Sequence, residues 1–141
     1  MLTTEEIAAL MRANDTFSEV PGEALDELAA GATERSCAAG EDIIRQGVRC
    51  GDLFLVVEGG FAVSVADGTG GGEREVAQLG RGRVFGEIGV VSGIQATASV
   101  RATTDGRLIS IPGKHFHLVM HHTPRLAESV LRSMARYLKK D

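Results

Sequence analysis

Aromatic side chains are scarce in this sequence: five Phe, one Tyr and no Trp among 141 residues. Glycine is not scarce, and its 18 copies fall between short apolar runs, a pattern of many turns and hence of β structure. Cysteine is nearly absent. Cys37 and Cys50 match no metal spacing such as CxxC, and nothing marks the chain as secreted, so two free thiols are expected rather than a disulfide. Positive charge is not in excess: the formal net charge of −4 speaks against a broad nucleic-acid footprint. No apolar run approaches the roughly 20 residues of a membrane span. The acidic start "MLTTEEIAAL" lacks the basic opening and long apolar core of a signal peptide. A cytoplasmic protein without membrane contact is expected. Catalytic signatures are missing too. There is no nucleophile elbow, no paired carboxylates and no Walker loop, and "GTGGGE" has no lysine to meet a phosphate. An enzyme is not expected.

The length suggests one domain, able to bury a core without disulfides or metals. Thr3 and Glu6 have capping-box spacing ahead of Ile7, Leu10 and Met11, which share a helical face. A second helix is predicted from "VPGEALDELAAGA", with Pro21 at its first position and Gly31 as its stop. From Ser36 the period becomes that of strands: "EDIIRQG", "DLFLVVEGG", "FAVSVAD", "REVAQLG", "TASVRAT" and "RLISIP". Turns are predicted at Gly59-Gly60, Asp67-Gly68 and Asp105-Gly106, with a flexible hairpin tip from Gly68 to Glu73. After Pro112 the helical period returns in a short helix over 113–122. Thr123-Pro124 opens a second one, with an apolar stripe of Leu126, Val130, Leu131, Met134 and Leu138. Arg132, Arg136, Lys139 and Lys140 suit the end of that helix, where positive charge meets the dipole. The predicted fold is mainly β with flanking helices: short, regularly spaced strands of a sandwich, jelly roll or small barrel over 34–112, between helices over 3–32 and 113–140.

"FGEIGVVSGIQATASV", residues 85–100, holds one charged side chain, Glu87, among small and branched apolar residues. Gly86 lets the backbone turn sharply, and residues 87–91 are long enough for one helical turn. Two readings of Glu87 fit its local sequence. It is a partner of the helix dipole, or it accepts a hydrogen bond from a ligand hydroxyl. Thr97 is open in the same way, as a surface strand residue or as a hydroxyl for a ligand.

The stretch "GRVFGEIGVVSGIQATASVRA" resembles the phosphate-binding cassette of cyclic-nucleotide-binding domains. That cassette runs Phe-Gly-Glu, a short helix, then Pro-Arg-x-Ala-[Thr/Ser]-Val. Upstream, "IIRQGVRCGDLFLVVEGGFAVSV" is similar to the glycine-punctuated strands of the family, with Gly47, Gly51-Asp52 and Gly59 at the turns. The resemblance covers nearly the whole chain. It implies an eight-stranded β roll with N- and C-terminal helices, and a sensor domain of the Crp/Fnr type that binds cAMP or cGMP. Its site would comprise Gly86, Glu87, Ile88, Gly89, Ala96, Thr97, Ala98 and Ser99. By the same resemblance, Glu87 binds the ribose 2′-hydroxyl, Gly86 and Gly89 allow close backbone approach, and Thr97 reaches the phosphate. A threonine there is associated with cGMP preference.

The chain departs from the pattern at two positions. Ala96 stands where the family has its phosphate-binding arginine, and Gln95 where it has proline. A hydrogen bond to a charged group contributes roughly 1.5–3 kcal/mol, so the loss should weaken a cyclic nucleotide by at least ten- to hundred-fold. Arg101 lies five residues further on along a strand and is no simple substitute, whereas Arg81, Arg83 and Arg49 lie in loops that reach inward or do not.

His117 and His121 have the i, i+4 spacing of a metal pair, but no carboxylate follows in an HExxH pattern. They are expected as solvated helix residues. No DNA-binding domain is expected, because no helix-turn-helix follows the last helix. The chain is read as a free-standing sensor or a piece of a longer protein. Two functions stay open: a sensor that binds cAMP or cGMP and moves its C-terminal helices, and a ligand-free module for protein contact or homodimerisation through the last helix.

Overall fold

Thr3 and Glu6 form the capping box that their spacing predicts. The Glu6 amide donates to Thr3 Oγ1 at 3.1 Å, and the Thr3 amide donates to Glu6 Oε1 at 3.0 Å. Helix α1 (Thr4–Arg12) follows and buries Ile7 and Met11. Helix α2 (Gly22–Ala30) starts one residue later than predicted, because Pro21 is the capping residue with extended backbone rather than the first helical one. The computed structural model describes residues 2–66 and 72–138, with the side chains of residues 88, 133, 134 and 136–138 outside that description. The predicted turn at Asp67-Gly68, most of the Gly68–Glu73 tip, and Lys139 and Lys140 lie outside the described residues. So do the side chains of Met134, Arg136 and Leu138.

Eight strands occur among the described residues: β1 (Thr33–Cys37), β2 (Asp42–Ile44), β3 (Asp52–Glu58), β4 (Phe61–Ala66), β5 (Glu73–Leu79), β6 (Val84–Phe85), β7 (Ser99–Ala102) and β8 (Gly106–Pro112). They pair antiparallel in two four-stranded sheets, ordered β1-β8-β3-β6 and β2-β7-β4-β5. Helix α3 (Glu87–Ser92) lies between β6 and β7, and helices α4 (Gly113–His122) and α5 (Pro124–Leu138) follow β8. This is the β roll with flanking helices that the periodicities indicate.

Strand β3 explains how the layers join. Its run Leu53–Val57 is buried on both faces, which is why it reads as continuous rather than alternating. Leu53, Leu55 and Val57 face a core shared with the helices, including Phe17, Leu28, Phe116 and Leu126. Phe54 and Val56 face the opposite core between the sheets, with Phe61, Phe85, Val100 and Leu108. Phe54 stacks on Phe85 with ring centroids 5.2 Å apart. Three of the five phenylalanines, Phe54, Phe61 and Phe85, thus pack together in the core that includes β6.

Strand β4 does not alternate as cleanly as its sequence suggests. Phe61 is buried, but Val63 and Val65 are only half-buried. Val63 packs at the edge of the core between the sheets and also lines an open cavity.

On α5, Leu126 and Val130 are fully buried, but Leu131 is 58% exposed. Placing Leu131 in the apolar stripe was wrong. At about 100° per residue it lies about 140° around the helix from Leu126, off the buried face.

Candidate functional site

Strand β6 delivers the chain to Gly86, which has φ of 89° and caps α3. A Cβ at this position would stand 2.7 Å from the Asp52 carbonyl oxygen. Both the positive φ and the close approach of β3 require glycine here. Helix α3 then starts at Glu87 and ends at Gly93, which has φ of 73°. Gly89 lies against the Cys50 carbonyl, so the helix sits close to the loop that precedes β3.

Glu87 is only 7% exposed and is the one buried carboxylate among the described residues. Burial pushes its carboxyl up to about 7, against a hydrogen bond from its own amide and the charge of Arg83, which both favour ionisation. No ion pair with a described residue holds it. A carboxylate that merely partners the helix dipole has no need of such burial, because that effect is already present at exposed positions.

Glu87 opens onto a cavity of about 940 Å³ between the two sheets, α3 and the strap that precedes β7. Gly86, Glu87, Gly89, Ala96, Thr97 and Ala98 all line it. Six of the eight predicted site residues are thereby brought to one space. Ile88 lies in α3, and Ser99 begins β7. The Ser99 hydroxyl is committed elsewhere: it accepts the Gln46 amide at 2.9 Å. Ser99→Ala is therefore expected to lower the thermal midpoint by roughly 2–4 °C in a melting experiment, from one lost hydrogen bond of about 1 kcal/mol.

Ala96 is fixed in the strap by two backbone bonds. Its amide donates to the Val48 carbonyl at 2.9 Å, and its carbonyl accepts the Gly47 amide at 2.8 Å. An Arg49–Gln95 bridge lies beside them. Thr97 is exposed at the cavity rim. Arg101 points away from the site. Its Nε donates to Asp42 Oδ1 at 2.8 Å, and its other end lies 3.8 Å from Glu73.

Sequence reasoning missed the far wall of the cavity. Asn14, Asp15 and Thr16 come from the α1–α2 connection, and Val76 and Ala77 come from β5. These positions are remote in sequence, and only the fold joins them: Asn14 Nδ2 donates to the Gly82 carbonyl across 68 residues. Arg81 and Arg83 also line the cavity, whereas Arg49 does not.

Of the pair expected as solvated helix residues, His121 is exposed as expected, whereas His117 is engaged, as are His115 and His122. His117 Nε2 donates to the Val90 carbonyl at 2.7 Å, and His115 Nε2 donates to the Glu27 carbonyl at 2.6 Å. Because a carbonyl only accepts, each ring carries its proton on Nε2. His122 Nε2 meets the Glu27 carboxylate at 2.6 Å. Among the described residues no group of three potential ligands could hold a metal ion. No helix among them is long and apolar enough to cross a membrane.

Comparison with known proteins converges on one family. The model for the cyclic nucleotide-binding domain matches residues 34–123, well over half of the chain. A cyclic nucleotide-gated potassium channel of Rhizobium etli is 29% identical over 124 residues, which is 88% of this chain and 33% of the channel. A cAMP-dependent protein kinase regulatory subunit of Blastocladiella emersonii is 31% identical over 120 residues, 84% of this chain and 30% of that protein. The chain thus spans about a third of these relatives. The crystal structure of Thermus thermophilus catabolite activator protein superposes with a TM-score of 0.81 at 26% identity, covering 90% of this chain and 59% of that one. With the two-sheet roll, the Phe85-Gly86-Glu87 corner and the family match all in agreement, the chain belongs to the cyclic nucleotide-binding domain family.

Proposed function

We propose that this chain is a regulatory sensor domain that binds cAMP or cGMP in the cavity at Glu87 and couples its occupancy to the C-terminal helices. Residues 1–141 act as one such domain. The observation that carries the reading is Glu87 itself, 7% exposed at the edge of a cavity of about 940 Å³. A buried carboxyl without an ion pair is costly, and a site retains one where a ligand hydroxyl meets it. In this role Glu87 takes the ribose hydroxyl, Gly86 and Gly89 bring the backbone close, and Thr97 offers a hydroxyl to the phosphate. Binding is weak, because Ala96 supplies no charge.

A physical link runs from the cavity to the C-terminal helices. Val90 of α3 is packed in the core with Phe116, Val119 and Leu126. Its carbonyl also accepts the His117 bond from α4 at 2.7 Å. A ligand that binds one position of α3 better than another shifts α4 and α5 with it, by as much as its affinities differ.

One observation favours a second reading, a ligand-free module for protein contact or homodimerisation. Ala96 lacks the charge that a phosphate needs, and Leu131 leaves an apolar side chain 58% exposed on α5. Titration calorimetry with cAMP and cGMP separates the two. Weak binding by wild type that disappears in Glu87→Ala is the expected result. Absence of heat with both nucleotides in wild type would establish the second reading instead.

A further inference from the structure

A cyclic nucleotide carries a phosphate charge, and the strap that faces it holds no cation. The candidates to answer that charge are the arginines that line the cavity. Among the described residues these are Arg81 and Arg83. The neighbouring guanidiniums are committed outside it: Arg101 and Arg45 converge on Asp42, at 2.8 and 3.6 Å. Arg81 is partly committed as well, since its Nη1 donates to the Val57 carbonyl at 2.7 Å. Arg83 is exposed, and its charge is felt by Glu87 across the cavity.

We propose that Arg83, which lines the cavity outside the Ala96 strap, is the anion-binding group of this cavity; the inference rests on the cyclic-nucleotide reading above. Its backbone is held firmly. The Gly82 amide donates to the Val56 carbonyl at 2.8 Å, the Val56 amide donates to the Arg83 carbonyl at 2.9 Å, and the Arg83 amide donates to the Gly80 carbonyl at 3.1 Å. The main chain at Arg83 is therefore fixed to the central strand β3, while its guanidinium is exposed and in no ion pair among the described residues. A guanidinium presents a planar fork of donors that matches two phosphate oxygens, and it remains charged at any working pH.

The other charges around the cavity are compatible with this assignment. Asp15 lies on the α1–α2 side, and Arg81 adds a second positive charge on the same turn as Arg83. An ionised Glu87 would compete with a phosphate for Arg83. Burial keeps the Glu87 carboxyl close to half-protonated at neutral pH, which relieves that competition and leaves a group able to hydrogen-bond a ribose hydroxyl.

Adenosine shares the base and ribose with cAMP but lacks the phosphate, so the pair isolates the phosphate contact. Calorimetry on wild type is expected to show cAMP bound about tenfold or more tighter than adenosine, the effect of one charge-assisted contact. Arg83→Gln should reduce cAMP to the level of adenosine and leave adenosine unchanged. Arg83→Lys should keep part of the preference, and Arg81→Gln should lose less than Arg83→Gln. The Arg83 assignment is overturned if Arg83→Gln keeps the full preference, or if wild type binds both compounds equally. In either case adenosine binding leaves the cavity reading standing. If neither compound binds wild type, the cavity reading fails and the Arg83 assignment falls with it.

Discussion

Glu87→Gln is expected to raise the thermal midpoint at pH 8 by roughly 6–12 °C and to leave it nearly unchanged near pH 4. The argument starts from the burial of this carboxyl, which holds its proton up to about pH 7 in the folded chain instead of the ordinary 4.5. Between those two values the folded state binds a proton that the unfolded state has released. Stability therefore falls as pH rises through this window and levels off above it. A shift of this size corresponds to a few kcal/mol, on the order of 3, and each kcal/mol moves the midpoint of a domain this large by roughly 2–4 °C. Glutamine keeps the shape and carries no charge, so the variant should lose this part of the pH dependence. Parallel melts of wild type and variant from pH 4 to pH 8 decide the matter. Identical slopes in the two proteins would show that Glu87 is not buried in its charged form at all. The same substitution should weaken the nucleotide, which makes Glu87 a site where stability is given up for binding.

The elements with strong periodicity were legible in the sequence. The Thr3–Glu6 cap, β3, β8 and α5 each carry a local signal, in capping residues, continuous apolar runs or helical spacing, that needs no tertiary context. Strand β1 begins at Thr33, earlier than the change of period at Ser36, because "TERSC" has no apolar alternation of its own. Its register is imposed by β8, with Thr33 opposite Ser110 and Cys37 opposite Gly106. Strand β6 is two residues long, too short for any period to show. Its place is fixed by pairing Phe85 with Phe54.

The candidate site divides along the same line. Gly86, Glu87 and Ala96 stand out because a lone carboxylate among small residues, or a missing charge in a familiar pattern, is visible residue by residue. The burial of Glu87 is not visible that way. It depends on β3, α3 and the far wall closing around it. Nor does the sequence separate Arg81, Arg83 and Arg49. Only the turn that ties Gly82 to Val56 puts the first two on the cavity wall, and the third does not line it.

Ala96→Arg is expected to raise affinity for cAMP or cGMP by ten- to hundred-fold, which is the effect of one new charge-assisted contact. The strap backbone that presents residue 96 is already held by Val48 and Gly47, so the substitution need not build a new loop. Residue 96 lines the cavity, and a space of about 940 Å³ accommodates a longer side chain together with a ligand. The gain should disappear when Glu87→Ala is added, because the ribose contact is what places the phosphate within reach of the new guanidinium. Coupling of this kind is read from the double-mutant cycle: independent contacts would add, and cooperating ones would not. The Arg83→Gln background gives the more discriminating measurement. If Arg83 is the native phosphate partner, that background loses its preference for cAMP over adenosine, and Ala96→Arg should restore the preference from the strap. If wild type already binds at micromolar affinity or better and Ala96→Arg adds nothing, the cavity answers the phosphate charge without the strap. Failure of both wild type and Ala96→Arg to bind any nucleotide would mean that the cavity no longer accepts one, and the chain would then act through protein contacts alone.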